Sequence, residues 1–270
     1  MKRHIGHLGL LFGLALAATA CTGMGDEDGE VAGEESSAMD DGLTAQAVGR
    51  LESADPDAAA AALVEGTDPD GCRTRVRDDV QPNVVHVYLD HCTGRFSRKG
   101  HHVLTGEMLV TFSQNADGTL HAEHETVTLT MDDQPAIRTA SADITFDGQL
   151  RHIDWSGTMS TTTEEGESLS RVAAHTVDVD RDTGCSVLNG TAHVERGDKQ
   201  IEVVLSGMTS CEDPSGGRFC PTGLIEADVT NRDVHITKTF DGSTVATIDV
   251  TSPKGDRTKT IELDCTPSAN

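Results

Sequence analysis

Aromatic side chains are scarce in this sequence of 270 residues: Phe, Trp and Tyr together make up 3%, and Trp and Tyr occur once each. Aromatic residues normally supply much of the apolar area that a core buries. The core must therefore be built mainly from Val, Ile, Leu and Ala, and covalent cross-links would stabilise such a chain. The scarcity also counts against a large hydrophobic pocket, because aromatic side chains usually line such pockets.

Positive charge is scarce as well, with 21 Lys and Arg against 45 Asp and Glu and a formal net charge of -24. Proteins that bind nucleic acid or anionic lipid headgroups do so through basic patches. The charge balance therefore excludes nucleic acid as a partner. A surface this acidic attracts cations without selecting one of them.

The sequence also lacks the common catalytic and cofactor-binding motifs. It contains no G-x-S-x-G nucleophile turn, no H-E-x-x-H zinc motif and no glycine-rich phosphate loop. None of its cysteine pairs has the C-x-x-C spacing that is typical of thiolate zinc sites and redox sites. We therefore predict that the chain is not an enzyme and that it needs no cofactor.

The apolar run from Ile5 to Ala17 is too short for a membrane-spanning helix, which takes about 20 residues. It follows the basic residues Lys2 and Arg3 and leads into small residues, which is the layout of a secretory signal. We therefore predict a signal peptide over residues 1–20.

Cys21 directly follows Ala18, Thr19 and Ala20. This stretch resembles the lipobox of bacterial lipoproteins, whose leader is cut before a cysteine that carries a diacylglycerol group. The resemblance implies a lipid anchor at Cys21, which would hold the chain on a membrane. Some such proteins have Asp directly after the cysteine, whereas this chain has Thr22. By the sorting rule of those proteins, the resemblance implies the outer membrane, and it does not distinguish the periplasmic face from the surface face. The alternative is an ordinary secretory leader that is cut after Ala20.

The segment after the leader is predicted to be an acidic, flexible tether over residues 21–41, because it combines low hydrophobicity with dense negative charge. Residues 42–70 contain an Ala-rich stretch that favours helix and is interrupted by Pro56. We expect one short helix before Pro56 and another from Asp57 to Glu65, which together form a helical segment or linker.

From Gly71 onward, apolar and polar residues alternate, as they do in strands with one buried face. Asp147-Gly148 and Asp241-Gly242 are strong hairpin signals. Because no helical pattern intervenes, consecutive strands should pair antiparallel. We predict a mainly all-β fold, an antiparallel meander of about eleven or twelve strands that is sandwich-like or barrel-like. It would occupy residues 71–270, with residues 220–265 as a candidate C-terminal module.

Six cysteines remain besides Cys21, an even number that predicts three disulfides in an exported protein. Six cysteines allow 15 pairings. If each bond closes one local excursion of the chain, the pairs are neighbours in sequence, namely Cys72 with Cys92, Cys185 with Cys211, and Cys220 with Cys265. A lipobox-type leader followed by a disulfide-bonded β-rich domain resembles many uncharacterised bacterial lipoproteins, and that resemblance implies no activity.

The stretch HAEHE is the best candidate for a metal site. On a strand, His121, Glu123 and Glu125 point to one face and His124 to the other. One imidazole and two carboxylates could bind a divalent ion. Metal sites usually gather ligands from several elements, however, so a solvated polar face is the favoured reading of these residues.

The stretch DVDRDTGC resembles the start of a calcium-binding loop, with Asp178, Asp180 and Asp182 at alternate positions. A calcium loop of this kind also needs Gly directly after the third acidic residue and Glu at its twelfth position. Thr183 and Asn189 stand at those two places. We predict a hairpin turn on an acidic surface.

Taken together, these features predict a lipid-anchored, exported envelope protein that serves as a structural or interaction module. Its expected partners are the membrane, through Cys21, and either an envelope protein or a hydrophobic small molecule. Two alternatives stay open. One is binding of a hydrophobic ligand on the inner face of a curved sheet, and the other is binding of a divalent cation.

Overall fold

A computed structural model describes residues 51, 53–65, 71–97, 100–163, 166–211, 219–263 and 265–267. The leader, Cys21 and the acidic tether lie outside these residues, as do residues 42–50, where the first helix was expected. The described elements are α1 (Pro56–Glu65), β1 (Arg73–Arg77), β2 (Val84–Ser97), β3 (Gly100–Gln114), β4 (Leu120–Met131), β5 (Gln134–Asp147), β6 (Leu150–Thr162), β7 (Ser168–Asp180), β8 (Cys185–Arg196), β9 (Lys199–Cys211), β10 (Thr222–Val229), β11 (Val234–Asp241), β12 (Val245–Thr251) and β13 (Arg257–Glu262).

All thirteen strands form one antiparallel sheet in which each strand pairs with the next along the chain. The predicted all-β meander is therefore confirmed, with one strand more than the upper expected number. Strand β1 has the sequence RTRVR, whose single apolar residue gives no alternation from which a strand could be inferred. The sheet is open, since β1 and β13 are its two edges.

Short turns hold this register. Between β4 and β5 the chain reverses through Asp132 and Asp133, which both have a positive φ, of 51° and 63°. Two consecutive positive φ values define the type I′ turn that matches the twist of a hairpin. Aspartate tolerates this conformation better than most residues do, which explains why the turn forms here without glycine.

The sheet has one buried face and one solvated face. Buried apolar residues from strands as far apart as β2 and β12 belong to a single core, for example Val85, Phe112, Ile153, Ile225 and Val250. The described residues form a single sheet, and one sheet buries its own face by curling. The result is a sandwich-like, open fold, and we call the buried side the inner face.

Helix α1 packs on the first strands of the sheet. The Asp55 carboxylate accepts a hydrogen bond of 2.8 Å from the backbone N–H of Ala58, and Pro56 occupies the first helical position. This is a standard way to start a helix. Near the C-terminal end of the helix, the side chain of Arg75 of β1 donates a hydrogen bond of 3.5 Å to the carbonyl oxygen of Leu63. Within the described ranges, no helix is long and apolar enough to cross a bilayer.

The three disulfides join the cysteines in the pairs expected from their order, with S–S distances of 2.06 to 2.10 Å. Cys185 and Cys211 lie directly opposite each other on β8 and β9. Cys220 lies just before β10, and its N–H donates to the carbonyl oxygen of Thr266, beside its partner Cys265. Disulfides form and persist in oxidising compartments, so this framework indicates an exported, non-cytoplasmic protein.

Candidate functional site

The residues of the HAEHE stretch lie on β4 with the predicted orientation. His121, Glu123 and Glu125 are on the outer face, while His124 points inward. Nδ1 of His121 lies 2.8 Å from the carboxylate of Asp143 on β5, and both glutamates are exposed. Across the described residues, no three or more His, Cys, Asp or Glu side chains come together in a way that could hold a metal ion.

The calcium-like stretch forms the end of β7 and the turn that follows it. The carboxylate of Asp178 lies 2.7 Å from Nδ1 of His152, and Asp180 accepts a hydrogen bond of 2.9 Å from the backbone N–H of Asp182. The Asp178 carboxylate therefore contacts a neighbouring strand, and the Asp180 carboxylate stabilises the turn. The expectation of a hairpin turn at this place is confirmed.

Histidine–carboxylate pairs recur along the outer face. In each pair, Nδ1 of the imidazole lies 2.6 to 2.8 Å from a carboxylate oxygen, and most pairs join neighbouring strands. The pairs are His86 with Glu107, His91 with Asp90, His121 with Asp143, His152 with Asp178, His193 with Glu202, and His235 with Asp228. This regular pairing neutralises part of the acidic outer face whenever the imidazoles are protonated.

The pKa of three of these imidazoles is raised by their carboxylate partners. Hydrogen bonds to Glu107 and then to Asp78 raise the pKa of His86. The bond to Asp178 raises that of His152, and the bond to Glu202 raises that of His193. A group whose pKa rises on folding stabilises the protein fully below its unfolded pKa of about 6.5, and that contribution fades as the pH climbs through the folded value. These three pairs thus favour the fold at mildly acidic pH.

Charges are sorted between the two faces of β4–β9. On these six strands the carboxylates occupy outer positions and the basic side chains occupy inner positions. The outer acids are Glu123, Glu125, Asp143, Asp147, Asp154, Asp178, Asp180, Glu195 and Glu202, and the inner bases are Arg138, Arg151, Arg171, Arg196 and Lys199. On β4–β9 the charged side chains of the inner face are therefore opposite in sign to the net charge of -24.

Two of the inner bases have evident structural tasks. Arg151 donates to the carbonyl oxygens of Gly148 at 2.7 Å and Leu51 at 3.4 Å, and it lies over the ring of Phe146. Arg196, at the end of β8, forms an ion pair with Glu167 in the connection between β6 and β7. Arg138 and Arg171 flank Met159 in one cross-strand row of the inner face, and Arg171 is only 4% exposed.

Next to this row, small residues make a flat floor. Ala140, Gly157 and Ala173 stand opposite one another on β5, β6 and β7. The indole of Trp155 lies across Gly157, where an added Cβ would stand 2.6 Å from the indole Cη2 atom. Trp155 in turn stacks on His175, with 5.2 Å between ring centroids and 16° between ring planes. Because Gly157 has no side chain, the indole of Trp155 can lie across it and stack on His175.

Two polar atoms in this region are buried without a hydrogen-bond partner among the described residues, namely Nε1 of Trp155 and Nε2 of His124. Trp155 is 3% exposed, and His124 lies in the same cross-strand row as Ala140 and Gly157. An indole N–H usually finds an acceptor when it is buried. A buried donor without a hydrogen-bond partner costs about 1 to 3 kcal/mol of folding free energy. We name Trp155, His175, His124, Arg138 and Arg171 the inner cluster.

Burial lowers the pKa of His124 to about 4, and the nearby charge of Arg138 lowers it further in the same direction. The imidazole is therefore neutral at neutral pH. A histidine with a depressed pKa stabilises the fold above its unfolded pKa of about 6.5, and this contribution is lost as the pH falls towards the folded value. His124 and the outer histidines His86, His152 and His193 thus respond to acid in opposite directions.

We expect His124→Leu to remove part of the acid sensitivity of the fold. Between pH 7 and pH 5 the wild-type chain should lose about 2 kcal/mol of unfolding free energy through His124 alone, and the variant should not. Urea unfolding at the two pH values measures this difference. His193→Gln, an outer-face variant, should retain the acid loss. Equal acid losses in wild type and His124→Leu would contradict the assignment.

The sequence analysis did not find the inner cluster. The sequence nevertheless contains a signal for it. The period-two pattern separates inner from outer positions, and charged residues follow the same pattern. On β5 and β7 the arginines share the parity of the buried apolar residues, whereas the aspartates have the opposite parity. Trp155, the single tryptophan, alternates with Ile153 in the sequence, which places the two side chains on one face of a strand.

Comparison with models of known protein families, with curated proteins and with solved structures gave no match to this chain.

Proposed function

We propose that this chain is an exported, lipid-anchored protein of the outer membrane that works as a binding or interaction module and not as an enzyme. The disulfide framework carries the proposal, because it requires an oxidising compartment. The leader and Cys21 supply the route and the anchor. One acyl chain holds a protein only reversibly, whereas two or more hold it firmly.

The architecture supports binding as the mode of action. A curled sheet cross-linked by three disulfides is a rigid support, and its outer face is a regular array of paired charges and hydroxyl groups, as in the Thr139 to Thr158 and Ser141 to Ser156 hydrogen bonds. Such a face gives solubility to an envelope protein. Its tether would place the folded part at a distance from the membrane.

Metabolic labelling with radioactive palmitate tests the anchor. In a bacterial host we expect the wild-type chain to incorporate label and to sediment with membranes. Cys21→Ser should abolish the label, whereas Thr22→Ser, one residue away, should retain it. Mass analysis of the processed N-terminus should find the acyl groups on residue 21. An unlabelled wild type, or a labelled Cys21→Ser variant, would refute the anchor while leaving export by an ordinary leader in place.

Binding of a hydrophobic small molecule is the second candidate. The observation that favours it is the inner cluster, where a buried indole N–H has no acceptor among the described residues and lies above a floor of Ala and Gly. Specific ligand sites combine mainly apolar walls with a few polar groups that fix orientation. The small inner residues and the few polar atoms around Trp155 have this composition.

A further inference from the structure

Strand β13 is an edge of the sheet, and among the residues that the structure describes it pairs with β12 alone. The backbone N–H of Leu263 donates to the carbonyl oxygen of Thr244 at 2.7 Å, which makes these two residues a hydrogen-bonded pair. Such pairs alternate along an antiparallel ladder. The residues of β13 that direct their N–H and C=O groups away from β12 are therefore Thr258, Thr260 and Glu262. Backbone groups at an edge are a template for a further strand.

The inner side of this edge is basic. Lys259 lies opposite Ile248 of β12, which lies opposite Lys238 of β11, so the two lysines belong to one cross-strand row. Both are half-buried, as expected for lysines that keep their ammonium groups at the boundary with solvent. The carboxylates of β10–β13 alternate with the buried residues and occupy the outer positions, namely Glu226, Asp228, Asp241, Asp249 and Glu262.

The opposite edge of the sheet, β1, differs because α1 occupies its inner side. Arg75 and Arg77 are inner residues of β1. Arg75 donates to the carbonyl oxygen of Leu63 at 3.5 Å, and Arg77 donates to that of Asp57 at 3.1 Å. Helix α1 packs on β1, β2 and β3 and not on the strands at the other end of the sheet. The β13 edge is therefore the one that can receive the side chains of an added strand on its inner side.

Charge limits which strand can be added there. A second copy of the chain would bring either its own β13, with Arg257 and Lys259 at inner positions, or its β1, whose three arginines stand at inner positions. Like charges directly opposite each other on a sheet destabilise the pairing of strands, whereas opposite charges stabilise it. A strand with carboxylates at alternate positions would meet Lys259 with the opposite charge.

We propose that the β13 edge binds an extended segment of a partner protein in which carboxylate side chains alternate with hydroxyl side chains. The free backbone groups of Thr258, Thr260 and Glu262 supply the ladder, as in other complexes that add a strand to a sheet edge. On the inner side, Lys259 pairs with the carboxylate opposite it, and Lys238 adds positive charge two strands farther in. Hydroxyl groups suit the outer side, where Glu262 would repel a second acid.

This inference rests on the proposed interaction module, because it names the chemistry of that module's partner. The net charge of -24 does not prevent such binding. At physiological ionic strength, exposed charges are screened beyond about 8 Å, so the lysines beside the edge determine the local preference.

The test uses the full chain carrying Cys21→Ser, which cannot be acylated, and three heptapeptides in which Thr alternates with Glu, Gln or Lys. Amide hydrogen exchange, followed by NMR, reports on the edge residue by residue. We expect the Glu peptide to slow the exchange of the Thr258 and Thr260 amides about tenfold, because they enter a hydrogen-bonded ladder. It should bind about fivefold more tightly than the Gln peptide, the effect of a well-placed ion pair at a partly exposed site. The Lys peptide should not bind.

Charge variants locate the site. Lys259→Glu should reverse the preference, so that the Lys peptide binds and the Glu peptide does not. Lys259→Gln should remove the difference between the Glu and Gln peptides. Lys199→Glu makes the same change of net charge on β9, four strands from the edge, and should leave the order of affinities unchanged. Circular dichroism verifies folding, and if Lys259→Glu does not fold, the milder Lys259→Gln decides.

Each contrary outcome overturns the inference in a different way. If no peptide binds, or if the Glu and Gln peptides bind equally well, the inferred partner chemistry is wrong, while export and the lipid anchor keep their own test. If the Thr258 and Thr260 amides become protected as protein concentration rises without peptide, a second copy occupies the edge. If they are protected in the dilute chain alone, another part of the same chain covers it. If the Glu peptide binds without protecting them, it binds elsewhere.

Discussion

Gly190→Ala is expected to destabilise the fold by about 3 kcal/mol, within the range that overpacking a well-filled interior can cost. Gly190 lies on β8 opposite His175, and a Cβ added there would come 2.5 Å from the carbonyl oxygen of Ala174 and would also collide with the His175 ring. A flexible neighbour could move aside, but the carbonyl belongs to the hydrogen-bonded ladder of β7. The substitution must therefore separate two central strands or displace the imidazole from Trp155.

Thermal unfolding measures this effect. For a domain of about 200 residues, each kcal/mol moves the midpoint by about 2 to 4 °C, so a loss of about 6 to 12 °C is expected. The matched control is Thr191→Ala, the adjacent exposed position on the same strand, which should change the midpoint by less than about 2 °C. Because Gly190 supports His175, fluorescence of the folded variant should also show an altered environment for Trp155. A midpoint that stays within the range of the control would mean that the inner face is looser than the structure indicates.

The alternation of residues was sufficient to predict the strands because each strand has one buried face. Val85, Ala142 and Ile248 lie in stretches where apolar and polar residues alternate, and all three are buried on the inner face. The order of the cysteines also matched the pairing. Cys72–Cys92 and Cys185–Cys211 each belong to a hairpin of consecutive strands, where neighbours in sequence are neighbours in space, whereas Cys220–Cys265 closes a loop that contains β10–β13.

Other features depend on relations that a single strand does not reveal. Strand β1 has one apolar residue. It forms because its backbone hydrogen-bonds to β2 and because α1 packs against it, as in the Arg75 to Leu63 hydrogen bond. The inner cluster exists because register aligns Gly157 with Ala140 and Ala173, and because Trp155 can then lie across the gap. Register across several strands follows from turn lengths and bulges, such as the irregularity between Glu125 and Thr130, which the sequence pattern does not specify.

The double variant Cys220→Ser/Cys265→Ser is expected to lose about 4 kcal/mol of unfolding free energy. This disulfide spans 45 positions, the longest separation of the three, and the chain-entropy model gives the largest stabilisation to the longest loop. It also holds together the end of the sheet, because the loop that it closes contains all of β10–β13 and β13 has a partner on only one side. Losing the bond should therefore free the C-terminal edge first.

Urea unfolding under oxidising conditions measures the loss, and hydrogen exchange shows where it occurs. The matched control is Cys72→Ser/Cys92→Ser, which removes a bond spanning 20 positions at the other edge of the sheet and should cost about 3 kcal/mol. In the first variant, amide protection should fall in β12 and β13, whereas in the control it should fall in β1 and β2. These strands lie at opposite edges of one open sheet, so the two patterns should not overlap. A uniform loss of protection in both variants would show instead that the sheet unfolds as a single cooperative unit, in which the position of a cross-link does not matter.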